Sequence, residues 1–184
     1  MKTVVAAIFA LLAGLGTCEK ICFPPQSEYR VFTTVSLDDL YMAADYNINK
    51  VVLTPANDTL GDVWTLFDIK EGTTYFKGVD GKCFFKKCPT TQLMGPCLPD
   101  DAVHLKTIDQ HELYSMHSSS GIGWVVGVTK IKDSEFYHRH LSRVTLHGSI
   151  IDIALSYECA TTVTDPAVFD KDTSGCEETK LHAF

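Results

Sequence analysis

The sequence lacks most of the features that mark common functional classes. It has no basic cluster longer than Lys86–Lys87, and its formal net charge is −7, so a nucleic-acid partner is not expected. It has no Gly-x-Ser-x-Gly elbow and no local Ser/His/Asp signature, so we expect no enzymatic activity. Its paired aspartates do not have the spacing of an EF-hand loop.

Long apolar runs are also scarce, and the one that exists is at the N-terminus. Lys2 precedes the apolar residues 4–13, and the small residues Gly14 and Gly16 follow them. The run is shorter than the roughly 20 residues of a membrane-spanning helix, and its flanks are typical of a signal peptide. We therefore predict a signal peptide over residues 1–18, cleaved near its end, and a secreted, extracellular protein that does not span a membrane.

Seven cysteines are encoded, and the cleavage point decides whether the mature chain keeps an odd or an even number of them. Cleavage before Thr17 retains Cys18, whereas cleavage after Cys18 leaves an even number. An even number in an oxidising compartment predicts disulfides, although counting alone leaves many pairings open. Zinc is the rival use, but no Cys-x-x-Cys pair is left in the mature chain. The six remaining cysteines are Cys22, Cys83, Cys88, Cys97, Cys159 and Cys176.

The mature chain, residues 19–184, fits one mainly β domain, because no linker, repeat or low-complexity segment divides it. Runs rich in β-branched and aromatic residues, separated by turn residues, predict about eight or nine strands. The predicted strands cover residues 29–35, 40–46, 50–53, 63–70, 73–78, 82–86, 111–117, 124–130 and a long run over 143–157.

Three other segments have clear local signals. Residues 88–101 contain three prolines and a glycine, which predicts a loop because proline removes a ladder donor. Asp165 followed by Pro166 predicts the start of one short helix that ends before Gly175. The pair Asp80–Gly81 predicts a tight hairpin turn of type I′.

Three groups of residues are candidate sites. Asn57 begins an Asn-x-Thr sequon, which predicts N-glycosylation, with an unmodified turn as the alternative. His138 and His140 would share one face of a strand, but no third ligand is evident, so a polar surface is preferred and no metal site is assigned. Large aromatic residues favour a core and, as the alternative, a pocket. The candidate pocket residues are Phe67, Phe76, Phe84, Tyr114 and Trp124.

The order of several short blocks resembles the ependymin and ependymin-related family. Near the start is Cys-Phe-Pro-Pro-Gln-Ser-Glu-Tyr-Arg, followed by residues 66–75 and the Gly-Lys-Cys-Phe-Phe-Lys block at 81–86. Three departures are Ser27, where the family usually has Trp, Tyr29, where it commonly has Gly, and Ser134, where vertebrate relatives have Cys. The closing blocks are Cys-Leu-Pro-Asp-Asp-Ala at 97–102, Ile-Asp-Ile-Ala at 151–154, Asp-Pro-Ala-Val-Phe at 165–169, and Cys176.

The resemblance implies a LolA/LolB-like fold, in which two stacked antiparallel sheets form a half-open barrel around a hydrophobic pocket, with one or two short helices. It implies a disulfide between Cys83 and Cys176. A local bridge between Cys88 and Cys97 would then leave Cys22 with Cys159.

The function implied by the resemblance is that of a secreted, non-enzymatic glycoprotein that binds a lipid or fatty acid between curved sheets. The alternative is a calcium-binding protein of the extracellular matrix that acts in cell adhesion. Family members are often homodimers, and Ca²⁺ is the one ion they imply. A lipocalin fits less well, because the Gly-x-Trp signature expected near the start of that fold is absent.

Overall fold

The computed structural model describes residues 20–34, 39–56, 61–87, 94–117, 122–146 and 148–179. The predicted signal peptide, Asn57 and Cys88 lie outside these residues. The described chain is mainly β, as predicted. Its strands are β1 (Gln26–Thr33), β2 (Asp39–Asp45), β3 (Lys50–Pro55), β4 (Trp64–Asp68), β5 (Thr73–Lys77), β6 (Cys83–Lys87), β7 (Val103–Ile108), β8 (His111–His117), β9 (Ile122–Lys130), β10 (Tyr137–Leu146), β11 (Ser149–Ala160) and β12 (Glu177–Glu178).

All of these strands form one continuous sheet in the order β12-β6-β5-β4-β3-β2-β1-β11-β10-β9-β8-β7. Each neighbouring pair is antiparallel except β12 and β6, which are parallel. The pairing of β1 with β11 joins two meanders, one built from β1 to β6 and the other from β7 to β11. The two end strands, β12 and β7, do not pair with each other, so the sheet is not closed.

The described strands outnumber the prediction for two reasons. The run over 143–157 is not one strand but parts of β10 and β11, which are separated by a turn with Gly148 at φ 84°. Strand β7, all of whose residues are exposed, and the two-residue strand β12 were not predicted. The turn before β6 also differs from type I′, which needs two residues with positive φ, because Gly81 is positive and Asp80 is not.

Strand register shows which residues share a face of the sheet, because directly paired residues in neighbouring strands point the same way. We call one face the inner face. It carries, from strand to strand, Val126, Ala154, Val31, Met42 and Val51. The opposite face is the outer face.

The inner face carries two hydrophobic clusters. One lies on β8 to β10, where Tyr114, Met116 and Val126 pack beneath the segment that contains Phe23. The other lies on β1 to β3 and contains Tyr29, Val31, Met42, Ala44 and Val51. Tyr46 packs against both clusters. The two meanders therefore share one apolar core on this side.

The outer face of β2 to β5 is covered by the C-terminal segment. Phe169, which is buried, packs on Trp64 and Val52. The predicted short helix is a single 3-10 turn, Pro166–Phe169, and Asp165 caps it by accepting a hydrogen bond from the Ala167 amide at 3.0 Å.

Glu28 forms hydrogen bonds that connect the C-terminal segment to the sheet. Its carboxylate accepts a hydrogen bond from the Tyr41 hydroxyl at 2.6 Å and others from the amide and hydroxyl of Thr164. Burial alone would raise the pKa of Glu28, but these hydrogen bonds lower it overall. The segment is thus held by packing and by a charged acceptor.

The disulfides agree with one implied pair and correct the other two. Cys83 pairs with Cys176, which ties β6 to the C-terminal segment. Cys22 pairs with Cys97, not with Cys159, and Cys97 is therefore not paired with Cys88. The reason is the backbone: an isolated bridge places Cys22 and Cys97 side by side, with their Cα atoms 3.9 Å apart. Cys159 lies half-buried beside the β1–β3 cluster as a free thiol.

No helix within the described residues is long and apolar enough to cross a membrane.

Candidate functional site

The five candidate pocket residues all lie on the inner face, although they come from both meanders. Phe67 pairs with Val51, and the register then continues through Thr65 to the cross-strand pair of Phe76 and Phe84. On the other meander, Tyr114 pairs with Val126, and Trp124 stands two residues along the same strand.

These side chains differ in how far they are covered. Tyr114 is buried and Trp124 is half-buried in the β8–β10 cluster. Phe67 packs at the margin of the β1–β3 cluster. Phe76 and Phe84 are half-buried, as Trp124 is, and their ring centroids are 5.5 Å apart. The structure brings the last two into direct contact, and it leaves apolar ring surface open on β5 and β6.

Arg139 is the residue of the inner face that sequence reasoning missed. It is a charged side chain that is only 6% exposed, and it pairs with Val128 in the register of β9 and β10. Its guanidinium lies over the ring of Phe23, 4.5 Å from the centroid, and Nη1 lies 3.7 Å from the sulfur of Met94. Its only sequence signal was its place between two histidines.

The charge of Arg139 is not matched by a carboxylate among the described residues. No ion pair joins it to any of them, and Nη2 has no hydrogen-bond partner there. A buried cation without a counter-charge is costly, because burial removes its hydration. Nη2 of Arg139 is therefore a hydrogen-bond donor without a described partner, among apolar side chains.

Two tyrosines complete the environment of Arg139. Burial raises the pKa of Tyr46 to about 12, although the positive charge of Arg139 acts in the opposite direction. Burial also raises the pKa of Tyr29. Both phenols therefore stay neutral at physiological pH, and neither supplies the missing negative charge.

The clefts lined by described residues are separate from one another. One of about 270 Å³ lies between the N-terminal segment and the chain after Cys97, and it is lined by Ile21, Leu98 and Tyr114. Another of about 650 Å³ lies beside the Cys83–Cys176 disulfide and is lined in part by Phe84. Neither cleft brings the five candidate residues together.

His138 and His140 have different ring contacts. His138, which pairs with Thr129 in the register, makes an edge contact with the ring of Tyr29, at 6.3 Å between centroids, and burial lowers its pKa. His140 contacts His111 on another strand, at 4.5 Å between centroids. His140 lies at a β-bulge between Arg139 and Leu141, which sequence alternation could not predict.

Comparisons with known proteins bear on the fold alone. No family model matches the sequence, and no curated protein matches it. Among solved structures, the chain is similar to an uncharacterized conserved protein from Thermus thermophilus, with a TM-score of 0.52 and 7% sequence identity. The likeness covers 85% of this chain and 90% of that protein, so it extends over nearly the whole architecture.

Proposed function

We propose that this protein is a secreted, non-enzymatic binding protein whose inner face holds an amphiphilic ligand with an acidic head group, such as a fatty acid. The observation that carries the proposal is Arg139, a buried guanidinium with no carboxylate partner among the described residues. A ligand carboxylate would supply the missing counter-charge through a charge-assisted hydrogen bond.

The apolar part of the ligand would lie on the aromatic residues of the same face. Trp124 and Phe67 are only partly covered, and they pack against the two clusters that Arg139 contacts through Phe23 and Met94. Burial of an acyl chain contributes about 0.8 kcal/mol for each methylene group. A chain of medium length therefore supplies most of the affinity, and Arg139 supplies the preference for an acid.

The proposal includes a half-open, LolA-like curvature of the sheet. Tyr46 packs against the clusters of both meanders, which supports a sheet that bends around its inner face. The alternative, a calcium-binding matrix protein, rests on the resemblance, and the described residues bring no three His, Cys, Asp or Glu side chains together.

The test compares dodecanoic acid with dodecanol by isothermal titration calorimetry on the full protein. A hydrogen bond to a charged group contributes roughly 1.5–3 kcal/mol, so we expect about a tenfold to hundredfold preference for the acid. In Arg139→Met the two ligands should bind alike, with the alcohol affinity unchanged. Arg143→Met is the matched control, because Arg143 lies on the same strand but faces outward, in register with Val125.

Two results would overturn this proposal. One is the absence of binding by both ligands, which removes the apolar site. The other is an acid preference that persists in Arg139→Met but disappears in Arg143→Met, which moves the head group to the outer face. Circular dichroism of each variant verifies that the sheet is intact.

A further inference from the structure

Two histidines from different strands meet on the outer face of the sheet, away from the proposed ligand. His111 lies on β8 and His140 on β10, and Thr129 of β9 stands between them. The Thr129 hydroxyl lies 2.7 Å from Nδ1 of His111 and 3.2 Å from Nδ1 of His140. The two ring nitrogens therefore converge on one point.

The backbone is shaped to allow this approach. The bulge after Arg139 adds one residue to β10 and directs the His140 side chain toward β9. Its imidazole then lies against Gly127, where a Cβ atom would stand 2.7 Å from Nε2 of His140. A glycine at that position gives the ring its space.

The hydrogen bonds of both imidazoles to Thr129 fix the orientation of the two rings. The Thr129 hydroxyl has one hydrogen, so it can donate to one imidazole while it accepts from the other. Neutral imidazole nitrogens are the form that binds zinc, copper and nickel ions.

We propose that His111 and His140, together with the Thr129 hydroxyl, form a binding site for a divalent transition-metal ion. A zinc ion needs each nitrogen at about 2.0–2.1 Å, so the Thr129 hydroxyl, at which both nitrogens point, would have to turn aside or join the ion as a ligand. No third His, Cys, Asp or Glu side chain joins the pair within the described part of the chain. The remaining positions on the metal are therefore open to water or to a group from another molecule.

The site is independent of the amphiphile site. Thr129 lies on the outer face, since its neighbour Val128 points inward with Arg139. Loss of metal binding would therefore leave the acid preference intact, and loss of the acid preference would leave metal binding intact. The two proposals fail separately.

The test is a titration of the metal-free full protein with ZnCl₂ by calorimetry near pH 7.5. We expect one Zn²⁺ ion per chain, and His111→Gln or His140→Gln should each weaken its binding roughly tenfold or more. His104→Gln is the matched control, because His104 is exposed and contacts Thr107 and Tyr114 instead. Ca²⁺ should not compete, since it prefers oxygen ligands.

The proposal is overturned if Zn²⁺ does not bind, or if it binds equally well to the double variant of His111 and His140. A second measurement needs no variant. Zinc should shift the ring ¹⁵N resonances of His111 and His140 in the unaltered protein and leave those of His104 in place. Shifts confined to other histidines would also refute the site.

Discussion

Removal of the Cys83–Cys176 disulfide should be among the most damaging changes that leave the hydrophobic cores unaltered. The two cysteines are 93 residues apart, so the bond closes most of the domain into a loop. In the chain-entropy model, a loop of that length contributes about 4–5 kcal/mol to the free energy of unfolding at 25 °C. The bond also holds the segment whose Phe169 covers Trp64 and Val52.

The perturbation is the double variant C83A/C176A, and the assay is urea unfolding followed by tryptophan fluorescence. Because natural domains are stable by roughly 5–15 kcal/mol, the variant should be marginally folded. Its Tm should fall by roughly 10–20 °C. Cys159→Ala is the control, since that thiol is free, and it should cost much less. A double variant within about 1 kcal/mol of the parent would refute the reasoning.

Three further predictions follow from particular contacts. In E28Q, the free energy of unfolding lost relative to the parent should be largest near pH 7. The loss should shrink as the pH falls through the lowered pKa of Glu28, because protonation of Glu28 in the parent removes the charged acceptor that Tyr41 uses. Equal losses at pH 7 and pH 3 in urea titrations would contradict this. Gly127→Ala should lower the free energy of unfolding by about 1–3 kcal/mol in the same assay, because the added Cβ would meet the His140 ring. Gly175→Ala is the control and should be nearly neutral, because nothing lies within 4 Å of its added Cβ. Peptide mapping without reduction should recover Cys22 linked to Cys97; Cys22 linked to Cys159 would show the pairing to be wrong.

Much of the β architecture could be predicted because its strands alternate visibly. Strand β8 matched residue for residue, since polar and apolar side chains alternate along it. Proline and aspartate marked the 3-10 turn at Asp165. These signals are local, and a local pattern is what a sequence displays directly.

The features that were missed depend on contacts between distant segments. The pairing of Cys22 with Cys97 comes from an isolated bridge across 75 residues. The meeting of His111 with His140 joins strands that are not adjacent in the chain, and the bulge at His140 shifts the register and reverses the alternation only from Leu141 onward. Arg139 was overlooked because nothing in its neighbours in sequence indicates that it is buried.

The two tryptophans permit the most direct test of the central claim, that an acidic amphiphile binds the inner face. Trp124 lies on the inner face, and Trp64 is buried on the outer face beneath Phe169. A bromine-substituted fatty acid quenches an indole that it contacts. We predict that it quenches the fluorescence of W64F, which retains Trp124, and not that of W124F, which retains Trp64. Quenching of W124F with no effect on W64F would contradict the account.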